Sequence, residues 1–488
     1  MRRRGPVPAA AVGLALVGLA LRFTAGTPLW LDEALSVNIA RLPVGDLLAA
    51  LRHDGSPPLY YLLLHGWVAA FGEGPLAVRA LSGALSVLGI PAAWAFAREA
   101  TGSGRVAAIT ALLVATSPFA IRYAAEARMY SLVMLLVALG GWALLRYLRA
   151  PSLPAAAAVA ACSGLLALTH YWAFYLLAAV AAGLLLRRRL AAVAAVAAGA
   201  VLFLPWLPSF IFQLTRTGTP WARRPAPAAL VQAVVEWSGK GPLALLLFVL
   251  LLALAALGAY GRAVDGRRIE LDLRGRAPGT TLGAAAFGAM LLGVAAGLVL
   301  GSGYAVRYTA IAVVPFLVLV ALGATTLADD RLRTGAVGAA LVLGLVGAVP
   351  GVVQPRTQAG AIARALRGRV AAGDVVVYCP DQLGPAVSRL LPRGTPQQVF
   401  PTGGPPDLVD WVDYGDRNAA ADPVAFADRL LREHAGGTVW LVVSSGYRTF
   451  GNRCDVLAER LRAARHETVD VRSRSSYLER ASLVRFAP

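Results

Sequence analysis

Three short stretches put ionisable side chains at spacings that could do chemistry. Trp30-Leu31-Asp32-Glu33-Ala34 sets paired acids directly after the first long apolar run. A carboxylate there could act as the general base that takes a proton from an acceptor hydroxyl. The same pair would equally suit the first turn of a helix, where the dipole favours negative charge. His53-Asp54-Gly55-Ser56-Pro57-Pro58-Leu59-Tyr60-Tyr61 offers a second acid. Asp54 could face the same cavity or, with His53 and Asp32, ligate a divalent cation. Asp and Gly ahead of Pro-Pro are also ordinary turn residues. Arg122-Tyr123-Ala124-Ala125-Glu126-Ala127-Arg128-Met129-Tyr130 is the third stretch. On a helix, Arg122, Glu126 and Tyr130 would share one stripe. That pattern fits a buried structural Arg–Glu pair, or an arginine beside a phosphate, which a planar guanidinium suits well.

Further polar residues close other apolar runs. Thr169-His170-Tyr171 and Tyr304 to Tyr308 (YAVRY) are two such ends. Arg307, with Tyr308 beside it, is a candidate for binding a lipid phosphate, and His170 and Tyr171 are candidates for polar lining. A lone histidine there also reads as a satisfied polar residue. Lys240 and the pair Arg223 and Arg224 could bind a phosphate or lipid headgroups.

The elements that must position these residues are apolar. The chain of 488 residues is 57% hydrophobic and 15% charged, against about 25% charged in an average soluble domain. Its mean hydropathy is +0.62. Apolar runs of about 20 residues, the length that crosses a bilayer, recur through residues 1–352. Eleven spans are expected, near 7–24, 76–97, 106–122, 130–146, 155–171, 172–187, 190–208, 243–260, 281–300, 306–327 and 335–352. The first, despite Arg2 to Arg4 ahead of it, is long for a signal peptide and lacks a small-residue cleavage site, so it reads as a retained helix.

The net charge of +19 comes almost wholly from arginine, many flanking apolar runs. That is positive-inside topology rather than a nucleic-acid footprint. With the N-terminus inside, the inner connections carry Arg98 and Arg105, Arg146 and Arg149, Arg187 to Arg189, Arg262 to Arg276 and finally Arg331 and Arg333. Each is basic, so the assignment is self-consistent. Counting residues 57–72 as a span would invert it. Those residues therefore read as a helix in the outer interface, anchored by Tyr60, Tyr61 and Trp67, within a long first outer loop at 25–75. The polar residues above then gather on the extracytoplasmic side of the cell (inner) membrane. Nucleotide-activated groups are not available there, so an activated group must arrive attached to a lipid.

Residues 353–488 have ordinary charge and short apolar stretches. Strands near 374–379, 438–445, 467–472 and 481–486, with helices near 383–391 and 453–465, predict a small extracytoplasmic α/β domain. An odd span count puts it outside, where Cys379 and Cys454 could pair. Cys162 sits in a span and reads as packing. No CxxC, P-loop or helix-opening GxGxxG is present.

WLDEA, D-x-x-PPLYYLLLH, RYAAEARMYSL, THY and the late RY together resemble the membrane-embedded GT-C glycosyltransferases over about 1–350. The nearest types are the protein O-mannosyltransferases and the bacterial lipid A aminoarabinose transferases. The resemblance implies a polyprenyl-phosphate-sugar donor, an aspartate of the first outer loop as base, and inversion at the anomeric carbon. Asp32 and Glu33 match the family's acidic pair. Many relatives have histidine before Pro-Pro where this chain has Ser56, which weakens a metal site in that loop.

The expected function is an inverting glycosyltransferase acting on a lipid, glycan or protein acceptor of the cell envelope. Asp32 would take the proton, with Glu33 and Asp54 beside it, while Arg122, Glu126, Arg128, Tyr130, His170, Tyr171, Lys240, Arg307 and Tyr308 serve the donor. The expected donor sugar is mannose or arabinofuranose. Two rivals are a flippase for lipid-linked sugars, which would place polar residues at mid-bilayer in two related halves, and a non-catalytic assembly protein of the envelope.

Overall fold

The computed structural model describes residues 9–218, 225–226, 228–265, 268–300, 303–445 and 447–488. Arg2 to Arg4, Arg223, Arg224 and Arg267 lie outside the described residues. A helix stands at each expected span. Among the described residues, six helices are long and apolar enough to cross a membrane: Pro75–Thr101, Tyr130–Arg149, Leu190–Arg216, Gly279–Val299, Val306–Ala324 and Asp330–Val353. A seventh is a bent pair, Gly104–Thr116 and Pro118–Ala124, turned by 53°. The other four positions hold the shorter apolar helices Ala9–Leu21, Leu153–Ala167, Ala173–Leu186 and Ala244–Tyr260. Length and composition thus support six or seven crossings, and eleven is not reached by that measure.

The bend has a local cause. Pro118 supplies no N–H, so the helix before it stops at Thr116 and its last carbonyls must find partners outside the helix. Arg22, fully buried, donates to Val114 O and Ala115 O at 2.8 and 2.7 Å and to Ser86 Oγ at 3.0 Å. Ser117 Oγ accepts from Ala120 N and caps the next helix. The centre of the bundle is Ala310–Ala324, buried on nearly every side. It meets Ala244–Tyr260 backbone to backbone: a Cβ at Gly323 would lie 1.7 Å from Leu254 O. Small residues permit such crossings where apolar burial alone does not drive helices together.

The loop 25–75 folds into three helices, Leu31–Ala40, Val44–Asp54 and Leu59–Phe71. Tyr60 and Tyr61, expected as membrane-interface anchors, are instead fully buried. Their hydroxyls explain why: Tyr60 meets Ser82 Oγ at 2.8 Å, and Tyr61 donates to Asp54 Oδ2 at 3.2 Å. Trp67 is half-buried and donates to Ala77 O.

The chain makes a small hairpin of β1 (Gly261–Ala263) and β2 (Ile269–Leu271), then a five-stranded sheet in the tail. This sheet holds β3 (Val375–Cys379), β4 (Gln397–Val399), β5 (Val439–Val443), β6 (His466–Val471) and β7 (Ser482–Ala487), in the order β4-β3-β5-β7-β6. β3 is parallel to β4 and β5, and β7 is antiparallel to β5 and β6. Alternate residues face opposite ways. Val376, Tyr378, Trp440 and Val442 join the core that continues into the helix bundle. Val375, Val377, Val439 and Leu441 pack under Phe426, Leu430 and Leu457 of the outer helices. Cys379 and Cys454 form a disulfide that ties β3 to helix Arg453–Arg462. The predicted helix near 383–391 is shorter, Gly384–Ser388, and two elements are unexpected: β4, and helix Pro423–Glu433, which Asp422 caps ahead of Pro423.

Candidate functional site

The tail rests on the helices of loop 25–75. Asn38 Nδ2 donates to Asp407 O, Arg389 donates to Asn38 Oδ1, and Trp411 N donates to His53 O. Between these surfaces lies a cavity of about 870 Å³. Its bundle side presents Asp32, Asp54, Ser56, Arg128, Arg307 and Tyr308. Its tail side presents Gln382, Trp411, Ser444, Ser445, Tyr447 and Glu479, with Arg448 and Arg480 alongside.

Asp32 and Glu33 both sit in the first turn of Leu31–Ala40. Successive helical residues point about 100° apart, so the pair divides. Asp32 lines the cavity, with Oδ2 3.4 Å from Arg307 Nη2. Glu33 is fully buried away from it. Arg79 holds both its oxygens, at 2.7 and 2.6 Å, and Ala127 N donates to Oε1 at 3.0 Å. Burial would push the Glu33 carboxyl up, but Arg79, Arg356 and the Ala127 N–H overcome it and hold the carboxyl below its ordinary range.

Asp54 ends helix Val44–Asp54, which Gly55 closes in the left-handed conformation at φ +82°. Its Oδ2 accepts from Tyr61, whose hydroxyl accepts in turn from Arg128 Nη1 at 3.0 Å. Arg128 also donates to Ser36 Oγ at 3.1 Å. Burial at the cavity wall, reinforced by the charge of Asp32, raises the Asp54 carboxyl above its ordinary value against the pull of Arg128.

Other expected residues are dispersed. The single helical stripe through Arg122, Glu126 and Tyr130 does not form, because the helix ends at Ala124 and the next begins at Tyr130. Arg122 reaches Glu236 at 3.5 Å, while Glu126 pairs with Arg356 of the segment entering the tail. The Tyr130 and His170 rings do not line the cavity but pack at a tilt, with His170 5.7 Å from Tyr130 and 5.0 Å from Tyr308 between ring centres. His170 Nδ1 accepts from Trp172 N. Tyr171 turns away to Trp206 and Gln213. Lys240 is exposed outside the cavity.

The residues offered for a cation do not fit one. His53 is half-exposed and pairs with Asp410 at 3.0 Å rather than facing Asp32 and Asp54. Among the described residues no group of three or more His, Cys, Asp and Glu side chains could hold a metal ion.

Sequence reasoning passed over Arg79, Arg356 and Glu479, and read Tyr61 only as an interface anchor. Arg79, an ionisable residue in the first turns of a long apolar helix, carried a usable signal, because such a charge calls for a partner. Glu479, in a tail without a motif, carried none.

The apolar helix bundle with its helical first loop and small sheet domain supports the resemblance to the GT-C membrane glycosyltransferases, as do a family match and solved structures of similar fold. Residues 55–212 match the family described as dolichyl-phosphate-mannose-protein mannosyltransferase. The fold is similar to that of ArnT from Cupriavidus metallidurans in the apo state, with TM-score 0.64 and 16% identity over 97% of each chain. Against the same protein bound to undecaprenyl phosphate the TM-score is 0.61, again at 16% identity over 97% of each chain. The Archaeoglobus fulgidus oligosaccharyltransferase in complex with Zn and sulfate matches at TM-score 0.54 and 12% identity, covering 89% of this chain and 68% of that one. No curated protein sequence matches the chain. The matched stretch 55–212 contains Arg79 and Arg128 but not Asp32, Asp54 or Arg307.

Proposed function

We propose that this protein transfers a sugar from a polyprenyl-phosphate donor to an acceptor hydroxyl, with inversion at the anomeric carbon. The observation that carries the reading is the cavity wall on which Asp32, Arg128 and Arg307 converge, with an arginine already beside the carboxylate. Asp32 takes the proton of the acceptor hydroxyl. The oxygen forms a bond to C1 of the sugar as the C1–O bond to phosphate breaks, and the electron pair leaves with polyprenyl phosphate. Arg307 and Arg128 stabilise the charge that grows on the phosphate oxygens. Phosphate bound at Arg307 draws its guanidinium from Asp32 and leaves Oδ2 open to the proton. Asp54 and Tyr61 orient Arg128, and Glu33 holds the loop rather than reacting. ArnT, a protein of the same fold, has been seen with undecaprenyl phosphate, which supports a lipid-phosphate donor.

Mannose and arabinofuranose are the donor sugars to try first. The basic connections at the opposite helix ends favour a cavity on the extracytoplasmic side, with residues 1–352 as the membrane domain and 353–488 as an extracytoplasmic domain. The acceptor is then a lipid, glycan or protein of the envelope. Incubating purified protein with labelled polyprenyl-phosphate mannose or arabinofuranose and membrane acceptors tests the reading. Folded protein that moves no label from either donor would contradict it.

A further inference from the structure

Glu479 belongs to the tail, yet it sits within reach of the helix that carries Asp32. Its Oε2 accepts from Leu31 N at 3.2 Å, one residue before Asp32. This amide is among the first of helix Leu31–Ala40, which has no side-chain cap from Trp30. The backbone of Glu479 is pinned on both sides: its N–H donates to Arg356 O at 2.8 Å, and its carbonyl accepts from Gln358 N at 3.1 Å. The side chain is 5% exposed, lines the cavity, and leaves Oε1 without a hydrogen-bond partner. An unpaired buried carboxyl oxygen is costly to leave without a partner. Fixing one oxygen on the Asp32 helix while the other stays unmet is the geometry of a group waiting for a ligand.

The surroundings suggest what that ligand is. Trp30, across from the tail, and Trp411, Gln382, Ser444 and Ser445 of the tail line the same cavity as Glu479. Flat apolar faces beside small polar groups suit a sugar ring, which is apolar on its C–H faces and hydroxylated at its edge.

Resting on the glycosyl-transfer reading above, we propose that Glu479 is the acceptor-binding residue of this site and that the acceptor it holds beside Asp32 is a sugar hydroxyl. Burial, with the charges of Asp32 and Glu33 close by, pushes this carboxyl up to about 8, against the opposing hydrogen bond from the Leu31 N–H. At neutral pH it therefore carries a proton and donates to the acceptor while Asp32 receives. Tyr447 and Arg480 face the same region.

The test measures transfer from labelled polyprenyl-phosphate mannose and arabinofuranose to octyl mannoside and to a Ser/Thr peptide. It compares the wild type with Glu479→Ala and Glu479→Gln over pH 6–10. The proposal expects transfer to the glycoside. Glu479→Ala should raise the glycoside KM about ten-fold or more, with the donor KM within two-fold of wild type. Glu479→Gln, which keeps both a donor and an acceptor atom, should retain transfer at pH 7 and lack the fall in rate that the wild type shows above about pH 8. A glycoside KM within two-fold in Glu479→Ala, or an unchanged alkaline limb in Glu479→Gln, would overturn the role. Transfer to the peptide and none to the glycoside would overturn the acceptor class. No transfer by the wild type to any acceptor would remove the glycosyl-transfer reading instead.

Discussion

Glu33 and Arg79 form a two-pronged ion pair sealed from solvent, 46 positions apart in sequence, with contacts of 2.7 and 2.6 Å. The pair fastens the first turn of Leu31–Ala40 to the start of the long helix Pro75–Thr101. It fixes which way Asp32, one residue earlier, can point.

Removing one partner leaves a buried charge alone, which typically costs about 3–5 kcal/mol. Arg79→Met should therefore lower the thermal unfolding midpoint in detergent sharply. Glu33→Gln should lower it too, and the double variant should recover part of the loss. Asp32→Asn, at the cavity wall, should leave the midpoint nearly unchanged. Equal losses from Glu33→Gln and Asp32→Asn would contradict the division of the acidic pair.

Arg307→Ala should weaken binding of polyprenyl phosphate about ten-fold or more, since hydrogen bonds to charged groups contribute about 1.5–3 kcal/mol. Arg307→Lys should restore only part of it, because an ammonium cannot match the guanidinium fork. Titration of the lipid phosphate into purified variants measures both. Unchanged affinity in Arg307→Ala would remove this arginine from the donor site.

Glu479 also predicts a pH dependence of stability. Its carboxyl is raised from 4.5 to about 8, so between those values the folded state binds more protons than the unfolded one. The favourable contribution is complete below pH 4.5 and is lost as pH rises toward 8. Stability of the wild type should thus decline across that interval relative to Glu479→Gln, in thermal melts from pH 5 to 9. Parallel curves would show that this carboxyl does not titrate there.

If the tail lies outside the cytoplasm, alkaline phosphatase fused after Pro488 should be active in cells, and a fusion in the loop between Tyr260 and Gly279 should not. The Cys379–Cys454 bridge closes a separation of 75 residues, so its removal by Cys379→Ala with Cys454→Ala should destabilise the tail by about 4 kcal/mol. Reversed fusion activities would invert the topology.

Sequence alone exposed the apolar bundle, because runs such as Ala310–Ala324 need no partner to be recognised. It exposed Asp32, Asp54, Arg128 and Arg307 as cavity candidates because charges at apolar helix ends are conspicuous. It did not separate Asp32 from Glu33, since that depends on which face of a ten-residue helix meets Arg79. The stripe through Arg122, Glu126 and Tyr130 failed because no local signal marks the helix break after Ala124. Tyr60 and Tyr61 read as anchors because an aromatic pair at an apolar segment looks the same whether lipid or protein covers it. Glu479 stayed invisible because its role depends on a contact with Leu31, 448 positions away.

The most direct measurement compares wild type with Asp32→Asn for transfer of labelled mannose and arabinofuranose from synthetic polyprenyl phosphates. A positioned general base contributes about 10²–10⁴-fold, so the variant should lose at least two orders of magnitude in rate while keeping its fold and its affinity for polyprenyl phosphate. Transfer by Asp32→Asn at the wild-type rate would contradict the assignment of Asp32 as the base.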